Sequence, residues 1–86
     1  MKCLLLKSDG TATELNEPIP LEKMQKLVGG YVEPVHAQHH TGFVNEEGLL
    51  QRLPVNERAS RIYGRLLVGD VVHVYNLDLT DGWEEG

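Results

Sequence analysis

Pro20 and the glycine pair Gly29-Gly30 bracket a run in which Leu21, Met24, Leu27 and Val28 recur at helical spacing, with Glu22, Lys23, Gln25 and Lys26 on the other side. The spacing predicts a short amphipathic helix. Proline at or near the first helical turn gives up no hydrogen bond, because that N–H has no intrahelical partner anyway. Glycine supplies the left-handed conformation in which helices commonly end. The stretch 16–20 carries two prolines, which excludes a central strand before the helix.

Around this helix the apolar segments are short. Residues 2–6, followed by the turn signal Ser8-Asp9-Gly10, and the imperfect alternation of Thr11 to Leu15 predict a hairpin. Tyr31-Val32-Glu33 reads as extended and broken after Glu33 by Pro34. His36 to Thr41 reads as a loop, and Gly42 to Val44 as another short strand. Phe43-Val44 and Leu49-Leu50 flank a reversal at Asn45-Glu46-Glu47-Gly48. Asn56 is a good N-cap for a second helix with Ala59, Ile62, Tyr63 and Leu66 on its buried face and Gly64 or Gly69 at its exit. Asp70 to Tyr75, with Val71, Val72 and Val74, is the clearest strand. The expected fold is α+β, in the order β-β-α-β-β-α-β, with an antiparallel or mixed sheet and two short helices packed most simply on one face.

At 86 residues the chain has room for one hydrophobic core, so residues 1–76 are expected to form a single α+β domain. Of the net charge of -5, Asp78, Asp81, Glu84 and Glu85 supply -4, so 77–86 reads as an acidic tail, expected to be mobile. An acidic chain without a basic patch repels phosphate backbones, which argues against nucleic acid as a partner. No stretch approaches the length of a membrane span or has the pattern of a signal peptide, so no membrane partner and a cytoplasmic location are expected. The single cysteine, Cys3, rules out an intrachain disulfide and a cysteine-based zinc site, and reads as a small buried hydrophobe.

Chemistry could reside in few places. Arg58, Arg61 and Arg65 are spaced three and four apart, one stripe on a helix, and Asn56 stands at that helix's start. Guanidinium groups are natural partners of carboxylates and phosphates. An anionic small molecule such as a nucleotide would suit that corner, with Asn45 and Glu46 holding its polar edges. His36, His39 and His40 could place imidazoles near a metal, with His73 as a distant third ligand, but the spacing assigns no metal site. Ser8 and Ser60 lack a glycine elbow, and there is no Walker or Rossmann phosphate loop. No cofactor and no catalytic residue is therefore expected. A weaker alternative is a hydrolase using Glu46 or Glu47. The main alternative, ahead of the hydrolase, is a protein-interaction or inhibitor module, in which Trp83 and the acidic tail dock on a protein partner or on a second copy as a homodimer.

Five segments occur together: Lys7-Ser8-Asp9-Gly10; Leu27-Val28-Gly29-Gly30-Tyr31-Val32-Glu33; Asn45-Glu46-Glu47-Gly48; Leu53-Pro54-Val55-Asn56-Glu57-Arg58-Ala59-Ser60; and Val68-Gly69-Asp70-Val71-Val72. In order and approximate spacing the chain resembles domain-of-unknown-function family 3846, small proteins of bacteria, phages, plasmids and some large DNA viruses. The likeness covers about residues 2–75. It implies an accessory protein of a phage, virus or mobile element, working in the host cytoplasm. It directs attention to Glu33, Asn45, Glu46, Asn56 and Arg58 as site residues, and it carries no activity with it.

Overall fold

In the computed structural model, which describes residues 3–15, 20–37 and 39–75, seven elements follow one another. They are β1 (Cys3–Leu6), β2 (Ala12–Leu15), α1 (Leu21–Val28), β3 (Val32–His36), β4 (His40–Asn45), α2 (Glu57–Tyr63) and β5 (Val71–Tyr75). The strands form one five-stranded sheet in the order β2-β1-β5-β4-β3, with every neighbouring pair antiparallel. The chain is thus α+β. The acidic segment 77–86 and Trp83 lie outside the described residues.

The last strand occupies the middle of the sheet because of its side chains. Val71, Val72, His73 and Val74 are all buried. A strand can bury consecutive residues only if both of its faces are covered. Alternation sends them to two clusters: Leu6 and Val71 pack with Ala59 and Tyr63 of α2, whereas Cys3, Leu5, Val72 and Val74 pack with Val28, Met24 and Leu27 of α1. The two helices therefore cover opposite faces, not the single face expected from the element order. A helix layer on one side alone would have left an apolar row of β1 and β5 in water.

Pro34 does not break β3. Tyr31 O accepts from Glu46 N at 2.8 Å and His40 O from Ala37 N at 2.9 Å, so the residues bonded to β4 are 31, 33, 35 and 37. Val32, Pro34 and His36 turn their backbone groups toward the free edge, where a missing N–H costs the ladder nothing. The same proline leaves a gap in the row of donors that a foreign strand would need. Pro34→Val should restore that donor; concentration-dependent self-association in sedimentation velocity, with unchanged circular dichroism, is the expected result. His36 belongs to β3 and His40 and Thr41 to β4, so both ends of the segment expected as one long loop are strand.

Candidate functional site

Beside the α2 face of the sheet, the 45–53 turn and the segment after α2 enclose a groove of about 360 Å³. Val35, Val44, Leu67 and Val68 form its apolar floor, and Glu33, Glu46 and Arg65 bring charge to its rim. Leu49, Leu50 and Leu66 also line it and are 70%, 82% and 61% exposed. The segment carrying Arg65 to Val68 is held by short contacts: Asn56 N donates to Leu67 O at 2.9 Å, Leu67 N to Ser60 Oγ at 2.9 Å, and Val55 bridges Val68. Leu49 and Leu50 belong to this turn and not to a strand flanking a reversal.

The six residues singled out from the sequence fall into three places. Glu33, Asn45 and Glu46 line the groove, while Arg58 and Arg61 line a separate corner of about 390 Å³ with Gly10, Glu57 and Ile62. Asn56 is internal, with no exposed surface. Its Oδ1 accepts from Ala59 N at 3.0 Å, and its Nδ2 donates to Leu6 O at 2.8 Å and Gly69 O at 2.9 Å. The side chain caps α2 and staples it to β1 and to the entry of β5, so it has nothing left to offer a ligand. Asn45 is similarly committed: Oδ1 accepts from Glu47 N at 2.8 Å, and Nδ2 donates to Val28 O at 3.1 Å and Gln51 Oε1 at 3.3 Å. It shapes the groove wall rather than reaching into the groove.

The arginine stripe is also divided. Helix α2 ends at Gly64, which adopts φ 67°, so Arg65 leaves the helical register and enters the groove. For the same reason Leu66 is exposed, not part of the helix's buried face, and Ile62 is only partly covered. Arg61 Nη2 lies 3.9 Å from Glu57 Oε1, an exposed pair one helical turn apart, worth little in water.

Sequence reasoning missed the polar cluster under α2. Tyr63 Oη and His73 Nδ1 are 2.6 Å apart, and the His40 ring is 4.8 Å from that of His73. Gly42, between them on β4, makes room for the Tyr63 ring: a Cβ there would lie 2.8 Å from Tyr63 Cζ. Burial, with the neighbouring His40 second, pushes the His73 pKa down to about 4, so the imidazole is neutral at pH 7. The signal was a histidine within an otherwise β-branched buried strand. His36 points to the other face, where its Nδ1 is 3.4 Å from Thr41 Oγ1, and His39 is exposed. His36 and His39 thus diverge from the His40–His73 pair, and among the described residues no group of three or more His, Cys, Asp or Glu side chains could hold a metal ion. Burial raises the Cys3 thiol pKa, in keeping with a packing residue.

A family model described as a domain of unknown function (DUF3846) matches residues 1–83. The chain belongs to this family. Neither the curated proteins nor the solved structures contain a significant match. The five segments that carry the family likeness include Asn45, Asn56 and Gly69, all of which the structure places in internal bonding or packing. In this chain these residues hold the frame around the groove, and Glu33 and Glu46 are exposed at its rim.

Proposed function

We propose that this family member is a non-enzymatic binding domain, an accessory protein of the kind carried by phages, viruses and plasmids. Its groove takes a small ligand with an apolar body, a hydrogen-bond donor edge and one anionic group, such as a nucleotide. The observation that carries this reading is the groove's composition: an aliphatic floor and three exposed leucines, two acceptor carboxylates, and one guanidinium. A base could lie on Leu49, Leu50 and Leu66 and donate from its edge to Glu33 or Glu46, while Arg65 meets a phosphate. Among the described residues, the lining has no thiol, hydroxyl or imidazole, which favours binding over nucleophilic chemistry. No helix among the described residues is long and apolar enough to cross a membrane, which is compatible with the cytoplasmic location proposed for it.

Amide shift mapping with a panel of nucleoside monophosphates tests this directly. The expected perturbations fall on Glu46, Leu49, Leu50 and residues 65–68, with Arg65→Glu weakening binding about tenfold or more. Shifts confined to Arg58 and Arg61 would move the site to the other corner. Silence with every nucleotide would favour the second reading, a protein partner seated on Leu49 and Leu50, whose exposure resembles that of unpartnered interface anchors. Leu50→Ser should then abolish capture of that partner.

A further inference from the structure

We propose that the Tyr63–His73–His40 cluster is a proton-operated latch, holding α2 and the groove wall that follows it against the sheet while the His73 imidazole is neutral. This goes beyond the binding role and does not depend on what the groove holds.

The geometry has three parts. His73 is 1% exposed and belongs to β5, which is paired on both sides and cannot move without breaking the sheet. Tyr63 comes from α2, a helix of seven residues, and is its last one. His40 stands beside His73 on the neighbouring strand, rings 4.8 Å apart and tilted by 38°. In the Nε2–H tautomer of neutral His73, the Tyr63 hydroxyl donates to Nδ1.

Protonation would reverse that bond, the phenol oxygen becoming acceptor, so the bond itself does not forbid it. The cost comes from the surroundings. Among the described residues, the ring is faced from β1 by Leu4, from β4 by His40 and side-chain-free Gly42, and from α2 by Tyr63; Val35, Ala37 and Leu67 belong to the apolar cluster on the same face of the sheet. Glu14 on β2 and Glu33 on β3 share this face, but on the edge strands and exposed. His36 lies on the opposite face, His39 in the exposed turn, and Glu57, Arg58 and Arg61 on the outer side of α2. An imidazolium at His73, 1% exposed, would lose its hydration beside a second titratable ring. The short helix is the part able to lift and let water in.

The sign follows from linkage. The pKa of His73 is about 4 in the closed state, below its ordinary 6.5, so the closed state is favoured above pH 6.5 and loses that advantage as pH falls toward 4. Between pH 7.5 and 4.5 the opening constant should rise about 70-fold.

Native-state amide exchange on the ligand-free protein, corrected for intrinsic rates, provides the test. The expected result is that the amides of Ser60, Gly64 and Arg65 gain that pH-dependent opening with little denaturant dependence, while the β1–β5 ladder opens only by global unfolding. His73→Gln, which keeps an acceptor for Tyr63 but cannot titrate, should make α2 opening independent of pH. If that variant does not fold, the wild-type His73 ring is followed by NMR and must titrate in step with α2 opening. Helix amides that exchange at ladder rates at every pH, or a His73 that titrates near 6.5 with α2 closed, would overturn the latch.

Discussion

Asn56→Ala is expected to cost about 3–5 kcal/mol of folding stability, the largest effect of any single substitution described for this protein. The side chain makes three buried bonds at once, to Ala59 N, Leu6 O and Gly69 O. Loss of the cap accounts for about 1–2 kcal/mol. The two buried carbonyls then lose their donor, at roughly 1 kcal/mol or more each. For a domain of this size, total stability is on the order of 4–13 kcal/mol, so the variant would be near the limit of folding. Urea denaturation should show a lower midpoint at an unchanged slope. Asn56→Asp makes the argument sharper. Aspartate is as good an N-cap as asparagine in isolated helices, yet here its carboxylate would face two carbonyl oxygens in place of an amide donor. At pH 7 it should destabilise at least as much as alanine. A near-neutral Asn56→Asp substitution would show that the two carbonyl bonds contribute little.

The second large effect is expected at Gly42. A methyl group there meets Tyr63 Cζ at 2.8 Å and Oη at 3.0 Å, closer than van der Waals contact permits, on a ring wedged between α2 and the sheet. Overpacking of this kind costs about 1–3 kcal/mol, and displacing Tyr63 from His73 adds roughly another 1 kcal/mol. Gly42→Ala is therefore expected to lose about 2–4 kcal/mol, and Gly42→Val more. A double-mutant cycle with Tyr63→Leu isolates the clash: the alanine should become nearly neutral once the ring is gone. Equal penalties in both backgrounds would mean that strand propensity, and not the ring, requires glycine.

Much of the fold was legible from local chemistry. Proline before and glycine after Leu21–Val28 framed α1, Asn56 announced the start of α2, and the valines of β5 marked a buried strand, because each of these signals acts through a residue's own backbone or its near neighbours. Pro34 misled for a related reason. Proline forbids a hydrogen bond in one direction only, and which direction a strand's N–H faces is fixed by its pairing with β4. The arginine stripe misled in the same way, since it assumed the helix continued to residue 65, and a single left-handed residue at Gly64 ended it.

The candidate site was less legible. Glu33, Asn45 and Glu46 were named and do meet in one groove, but Arg65 joins them only because the chain turns after α2. Asn56 was named as a ligand-facing cap, and its amide is consumed by carbonyls from Leu6 and Gly69, 50 and 13 residues away. The sequence alone determined the α+β composition, the family and where both helices start, since capping, periodicity and turn formation are short-range effects. Only the tertiary structure decided that the helices lie on opposite faces, that His73 is sealed beneath Tyr63, and which polar side chains still reach solvent. Those outcomes depend on which distant backbone groups claim each donor and acceptor first, and sequence spacing carries no record of that competition.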